Sequence, residues 1–417
     1  MKRVVTATVG GGQAGLAMSR CLSDHGIDHV VLERGRVAAR WRSERWESLR
    51  LLTPNWQSRL PGFEYDGPDS NGFMRAPEVV SFFERYSRSF NAPVQSETAV
   101  QAIAPGGDGF HVSTDRGDWQ ARSVVIATGD CDVPFVPPMA GRLPRDIHQI
   151  TCSQYRRPDQ LPEGRVLVVG AASSGVQIAD ELAGAGREVV IAVGHHTRVP
   201  RRYRGRDIMW WLDRTGILDE RGDDVFDVVI SRQQPSLQLV GRPDASPLNL
   251  ATLQDRGVRI VGRLMALDGA HAIFDDDLVA TAAAADAKLA LLLARLDEFA
   301  AREPVDVDVA EADVFAHTWS RFTTVPNRMP LRDEGITTIV WAVGYRRRYD
   351  WLRVPVLDAA GEIRHEGGVT GWPGLYVIGL RFLRRRNSTF IDGVGKDAVA
   401  LAAHAAGYLG HDDQAVA

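Results

Sequence analysis

The sequence predicts an α/β protein built of two Rossmann-like nucleotide-binding units, the second inserted into the first. Three observations carry this expectation. A glycine-rich turn follows an apolar strand in "VVTATVGGGQAG" near the start, the same plan returns in "VLVVGAASSG" at residues 166–175, and 417 residues suffice for two such domains.

In the first unit, Val4 to Val9 is a near-continuous apolar run, the mark of a parallel strand covered on both faces. Gly10, Gly12 and Gly15 then give G-x-G-x-x-G. Gly10 permits the tight turn, Gly12 lets a pyrophosphate approach the backbone, and Gly15 lets helix and strand pack closely. Ala14, Met18, Cys21 and Leu22 share one helical face, and Gly26 is a natural stop. The next strand, "DHVVLE", ends in Glu33, 18 residues beyond the last glycine, where a carboxylate accepts hydroxyl protons of an adenosine ribose. Strand, helix, strand and acid in that order predict a dinucleotide site.

The second unit repeats the plan with Val166 to Val169 as strand and Gly170, Ala172 and Gly175 at the glycine positions. Ser173 and Ser174 add hydroxyl donors at a helix N-terminus, where roughly half a positive charge resides. The place of Glu33 is taken by Val193, followed by "GHHTRVPRRYR". Loss of the acid and gain of His195, His196, Thr197, Arg198, Arg201 and Arg202 predict a grip on the 2′-phosphate of NADP, the alternative being a solvated basic turn. Two cradles imply two dinucleotides, one accepting electrons from the other.

Composition narrows the function classes. Apolar content of 44% and charged content of 24% are those of an ordinary globular chain, and a net charge of −4 argues against a nucleic-acid or anionic-membrane partner. Of 49 basic residues only Lys2, Lys288 and Lys396 are lysine, a bias expected of a GC-rich bacterial genome. No apolar run reaches the eighteen or so residues of a membrane span, so a cytoplasmic protein is expected. Cys21, Cys131 and Cys152 form no C-x-x-C pair, which argues against a dithiol centre, a disulfide framework and a metal site.

The order of motifs resembles the two-dinucleotide-binding-domain flavoproteins and, more narrowly, the class B flavin monooxygenases, over residues 1 to about 204 and about 335 to 417. "ERGRVAARWRSERWESLRLLTP" is similar to the family segment after the ribose acid, with Arg34, Trp41 and Trp46 near the cofactor. "VVIATGD", with Ala127, Thr128 and Gly129, resembles the strand end where the chain leaves the FAD domain, and "IVWAVGY" the passage where it returns. "GLYVIG", ending in Gly379, resembles the last FAD strand, and "FIDGVGKDA" a helix whose Gly393 and Val394 N–H groups face the flavin pyrimidine ring. Gln13 and Ala14 complete the FAD cradle.

The resemblance implies a discontinuous FAD domain, residues 1–157 and 330–417, around an NADPH domain, residues 158–329, that carries a helical insertion. Proline-rich hinges are expected near 134–138 and 323–330. In the insertion, "GRDIMWWLDRTGIL" should be helical, and the leucines of 278–299 recur at helical spacing as a core or homodimer face. The family fingerprint F-x-G-x-x-x-H is altered in "MAGRLPRDIHQITCSQY", and no Trp-Pro follows, which argues against a Baeyer–Villiger enzyme. His148 and Tyr155 are expected to couple the domains, and Asn55 to stand beside the flavin C4a position, the alternative being a turn asparagine.

The implied chemistry is hydride transfer from NADPH to flavin N5, then reaction with O2 to give a C4a-hydroperoxide that oxygenates an amine or sulfur centre of a small molecule. A reductase serving a quinone or small redox protein is the alternative, and a silent flavin redox sensor the third reading.

Overall fold

The computed structural model describes residues 1–224, 232, 234–302, 322 and 327–415. The chain opens with β1 (Lys2–Val9), α1 (Gln13–Asp24) and β2 (His29–Leu32), followed by α2 (Ala76–Ser89) and β3 (Val94–Gln95). A hairpin, β4 (Val100–Gly106) and β5 (Gly109–Thr114), leads to β6 (Trp119–Ile126). A linker strand, β7 (Val133–Pro134), precedes β8 (His148–Thr151), β9 (Arg165–Val169), α3 (Ser173–Gly184) and β10 (Val189–Ala192). Next come α4 (Ile208–Arg214), α5 (Leu250–Asp255), β11 (Arg259–Val261), α6 (Leu278–Arg302), β12 (Ile336–Trp341) and β13 (Tyr345–Arg346). Strand β14 (Leu375–Val377) and helix α7 (Ile391–Ala415) close the chain.

Two sheets result. The nine-stranded sheet runs β14-β6-β1-β2-β3 through its parallel centre, with the β4–β5 hairpin added on β6 and two short strands beyond β14. The five-stranded sheet runs β8-β12-β9-β10-β11, with every neighbour parallel. The central strands are apolar on both faces because helices cover both sides. Val166 to Val168 and Val124 to Ile126, for example, are essentially inaccessible.

The domain boundaries move from the expected ones. Strands β8 and β12 were expected in the FAD part, yet both lie in the second sheet, where β12 separates β8 from β9. The reason is a repeated geometry: Ala127 N–H donates to Val9 O and Ala342 N–H donates to Val169 O, each at 2.9 Å. Each glycine turn needs a parallel strand beside it, so "IVWAVGY" completes the second unit rather than re-entering the first. The chain passes between units at β7 and β13, which pair antiparallel through Pro134 and Tyr345. The hinge expected at 134–138 is thus close to a crossing, whereas the second crossing is at 345–346. Residues 323–326 of the other expected hinge lie outside the described residues.

The insertion is docked on the first unit. Met209 and Trp211 of α4 and Leu296 of α6 share one apolar cluster with Tyr203 and Leu218, so the leucine stripe of α6 is a core face within this chain. Arg386 N–H donates to Glu220 O at 2.9 Å and Asn387 N–H to Leu218 O at 3.0 Å. Arg201 donates to Leu52 O at 2.7 Å. Among the described residues no helix is long and apolar enough to cross a membrane, and no cluster of side chains suits a metal ion.

Candidate active site

The first cradle sits at the carboxyl ends of β1, β2 and β6. Gly10 has φ of +111°, and a methyl group there would lie 2.6 Å from Ala127 O; one on Gly15 would lie 1.8 Å from Gly10 O. A methyl on Gly12 meets nothing within 4 Å, because Gly12 faces a cavity of about 610 Å³. That cavity is lined by Gly12, Gln13, Glu33, Trp41, Thr128 and Gly379, among others. Glu33 Oε2 accepts from Gly11 N–H at 2.6 Å and Oε1 from Gly35 N–H at 2.9 Å. A carboxylate has about four lone-pair sites, so capacity for ribose hydroxyls remains. An open cradle at a helix N-terminus with an oriented carboxylate fits the adenosine diphosphate half of FAD.

Gly10, Gln13, Ala14, Arg34, Ala127 and Gly129 also line this cavity, while Gly15 serves the packing of α1 on β1. The cavity wall further includes Arg40, Arg45, Thr98, Cys131, Arg348 and Trp351, which sequence reasoning missed. Arg40 is held by Asp132, its Nη1 donating to the Asp132 carbonyl at 2.7 Å. These residues come from four separate segments, and no local motif marks them.

Four further residues expected at the first site do not line this cavity. Trp46 is buried with Leu49, Ile150, Tyr155 and Val166, in the cluster under the second sheet, because its segment bridges the two units. Val394 is buried and its N–H is spent on Phe390 O at 3.1 Å, while Gly393 leaves room for the Asn387 backbone. Asn55 is buried, with its Nδ2 donating to Asp69 O at 2.9 Å and its Oδ1 accepting from Met74 N–H at 2.7 Å. Its amide therefore staples the 69–74 loop, as a turn asparagine does.

The second cradle copies the first. Gly170 has φ of +107°, and its added methyl would lie 2.4 Å from Ala342 O; that of Gly175 would lie 1.9 Å from Gly170 O. Ala172 is the N-cap residue of α3, and Ser174 is half-buried in its first turn. Ser173 N–H donates to Ser236 Oγ at 3.3 Å, and the two hydroxyls lie 2.8 Å apart. Ser236 thus holds the place at the helix N-terminus that suits a phosphate oxygen. The fit to a second dinucleotide is that of the glycine turn and helix end.

The basic turn is not a free phosphate grip. His195 is exposed, but Arg198 is buried in an ion pair with Asp286. Arg201 is almost inaccessible, paired with Asp207 and stacked 4.9 Å from the Phe73 ring centroid. Arg198 and Arg201 fold inward because each meets a carboxylate, whereas Arg202 of the same turn stays exposed. His148 is exposed on the edge strand β8 and does not line the first cavity. Tyr155 is the better bridge: it donates to Glu181 Oε2 at 3.1 Å, while Ser48 donates to Oε1 at 2.8 Å. Burial pushes the Glu181 carboxyl above its ordinary range.

Two glycine cradles, each flanked by a parallel strand end and set on two joined sheets, define the fold of the two-dinucleotide, flavin-monooxygenase-like oxidoreductases, a class whose cofactors are FAD and NADPH. The family model of pyridine nucleotide-disulphide oxidoreductases matches residues 7–209. An uncharacterized CzcO-like oxidoreductase of Geobacillus kaustophilus (strain HTA426) is 32% identical over 402 residues, 95% of this chain and 97% of that one. The chain belongs to this CzcO-like oxidoreductase family. A probable indole-3-pyruvate monooxygenase, YUCCA1 of Arabidopsis thaliana, is 31% identical over 183 residues, 42% of this chain and 43% of that one. The solved flavin-containing monooxygenase from Stenotrophomonas maltophilia shares the fold, with a TM-score of 0.67 at 18% identity, covering 98% of this chain and 100% of that one.

Proposed function

We propose that the protein is an FAD- and NADPH-dependent monooxygenase that inserts an oxygen atom from O2 into a soft nucleophile, an amine or sulfur centre, of a small organic molecule. The observation that carries this reading against a disulphide reductase is the state of the cysteines. All three are unpaired, and burial pushes the Cys21 thiol up to about 12 and raises those of Cys131 and Cys152. A dithiol relay needs a low-pKa thiolate beside a partner thiol, which this arrangement does not supply.

Bound FAD would supply the hydride acceptor and, once reduced, the activation of O2. The chain's part is binding and exclusion of water. Gly12 leaves room for the pyrophosphate, Glu33 orients the ribose, and Trp41 forms an apolar wall of the cavity. The second helix N-terminus, where Ser173 N–H donates to Ser236 Oγ, would hold a phosphate of the hydride donor.

The test is anaerobic reduction of the FAD-loaded protein by NADPH, followed by mixing with oxygen in a stopped-flow instrument. A long-lived oxygenated flavin spectrum before the oxidised flavin returns supports the monooxygenase. Direct reoxidation together with rapid quinone reduction would replace it by the reductase reading, and failure of NADPH to reduce the flavin would leave a redox sensor.

A further inference from the structure

With Arg198 and Arg201 turned inward, the second unit needs another cation at the place where an adenosine 2′-phosphate would lie. The internal repeat locates that place. In the first unit Glu33 N–H donates to Gln95 O at 3.1 Å; in the second, Val193 N–H donates to Val261 O at 3.0 Å. The ends of β2 and β3 therefore correspond to the ends of β10 and β11, so Gly194 takes the place of Arg34 and the Gly262–Leu264 segment that of Ser96–Thr98. In the first unit Glu33, Arg34 and Thr98 all line the nucleotide cavity.

Arg263 lies within that segment of the second unit, in register with Glu97 of the first. A methyl group on Gly194 would lie 3.1 Å from Arg263 Nε and 3.5 Å from Nη2, so the guanidinium lies directly over the glycine at the end of β10. Its side chain is half-buried. Among the described residues the Arg263 side chain has no hydrogen-bonding or ion-pair partner, unlike Arg198 and Arg201. Val193 in the place of the ribose acid removes the carboxylate that would repel a phosphate, and Gly194 leaves the approach clear.

We propose that Arg263 is the residue that selects NADPH over NADH, its planar fork gripping the 2′-phosphate beside the end of β10. The inference rests on the NADPH reading above. It assigns the selectivity to a residue 69 positions beyond Gly194 rather than to the basic turn.

The experiment is calorimetric titration of the FAD-loaded protein with NADP⁺ and with NAD⁺, neither of which can reduce the flavin. Wild-type protein is expected to bind NADP⁺ more tightly. Arg263→Ala should weaken NADP⁺ by about ten- to a hundredfold, the range for a lost charge-assisted hydrogen bond, and leave NAD⁺ unchanged. Arg263→Lys should recover part of the loss. An Arg263→Ala protein that keeps the full preference, or loses both ligands equally, overturns the role of Arg263 alone. A wild-type protein without preference for NADP⁺ overturns the NADPH reading and this inference with it.

Discussion

Glu220 of the inserted domain accepts from both Nε and Nη2 of Arg386, at 3.0 and 2.6 Å, just before the last helix of the first domain. The backbones of the same two residues are bonded as well. Glu220 also pairs with Arg295 of α6, so one partly buried carboxylate joins three segments. Glu220→Ala is expected to lower stability by about 1–3 kcal/mol, more than an exposed pair would, because two guanidinium groups lose their partner in a half-buried setting. Denaturant titration measures it, and a loss within about 0.5 kcal/mol would show that the clamp is not an energetic one.

Gly12 separates cofactor binding from folding. Its added methyl meets no protein atom, whereas that of Gly15 strikes the Gly10 carbonyl. Gly12→Val should fold with an unchanged circular dichroism spectrum but hold FAD about a hundredfold more weakly or worse, emerging colourless from purification. A yellow Gly12→Val protein of normal flavin content would place the pyrophosphate elsewhere.

Arg198 tests the inward basic turn. Replacing it by alanine removes the charge partner of buried Asp286, which should destabilise the protein by about 3–5 kcal/mol. Use of NADPH and NADH should fall together, in step with the folded fraction. A selective rise in the KM for NADPH at unchanged melting temperature would return the 2′-phosphate to Arg198.

Acid stability should depend on His365. Burial, together with the charges of Arg232 and Arg347, lowers its pKa from 6.5 to about 4, and its Nδ1 accepts from Gly368 N–H at 3.3 Å. The unfolded histidine takes up a proton first, so stability is lost as pH falls from 6.5 towards 4, by about 2 kcal/mol at pH 5. Melting curves of wild type and His365→Gln between pH 4 and 7 should converge at the acid end, the variant lacking this part of the slope. Parallel curves would remove His365 as the cause.

Both glycine turns, their strands and the first ribose acid were legible in the sequence because they are local. Gly10 and Gly170 need positive φ, and Gly15 and Gly175 need close contact within five residues of their own turn. A one-dimensional pattern carries such requirements completely. The stripe of α6 was legible for the same reason, since helical spacing is local.

What only the tertiary structure decided is where charged and polar side chains end. The arginines at 198 and 201 look like a phosphate grip until Asp286 and Asp207 draw them inward, and Asn55 looks like a flavin ligand until Asp69 and Met74 take both ends of its amide. The FAD cavity wall, and Arg263 over Gly194, are assembled from strand ends far apart in the chain. A buried charge is stable only where a partner arrives to meet it, and the identity of that partner is a property of the folded packing, which no window of sequence contains.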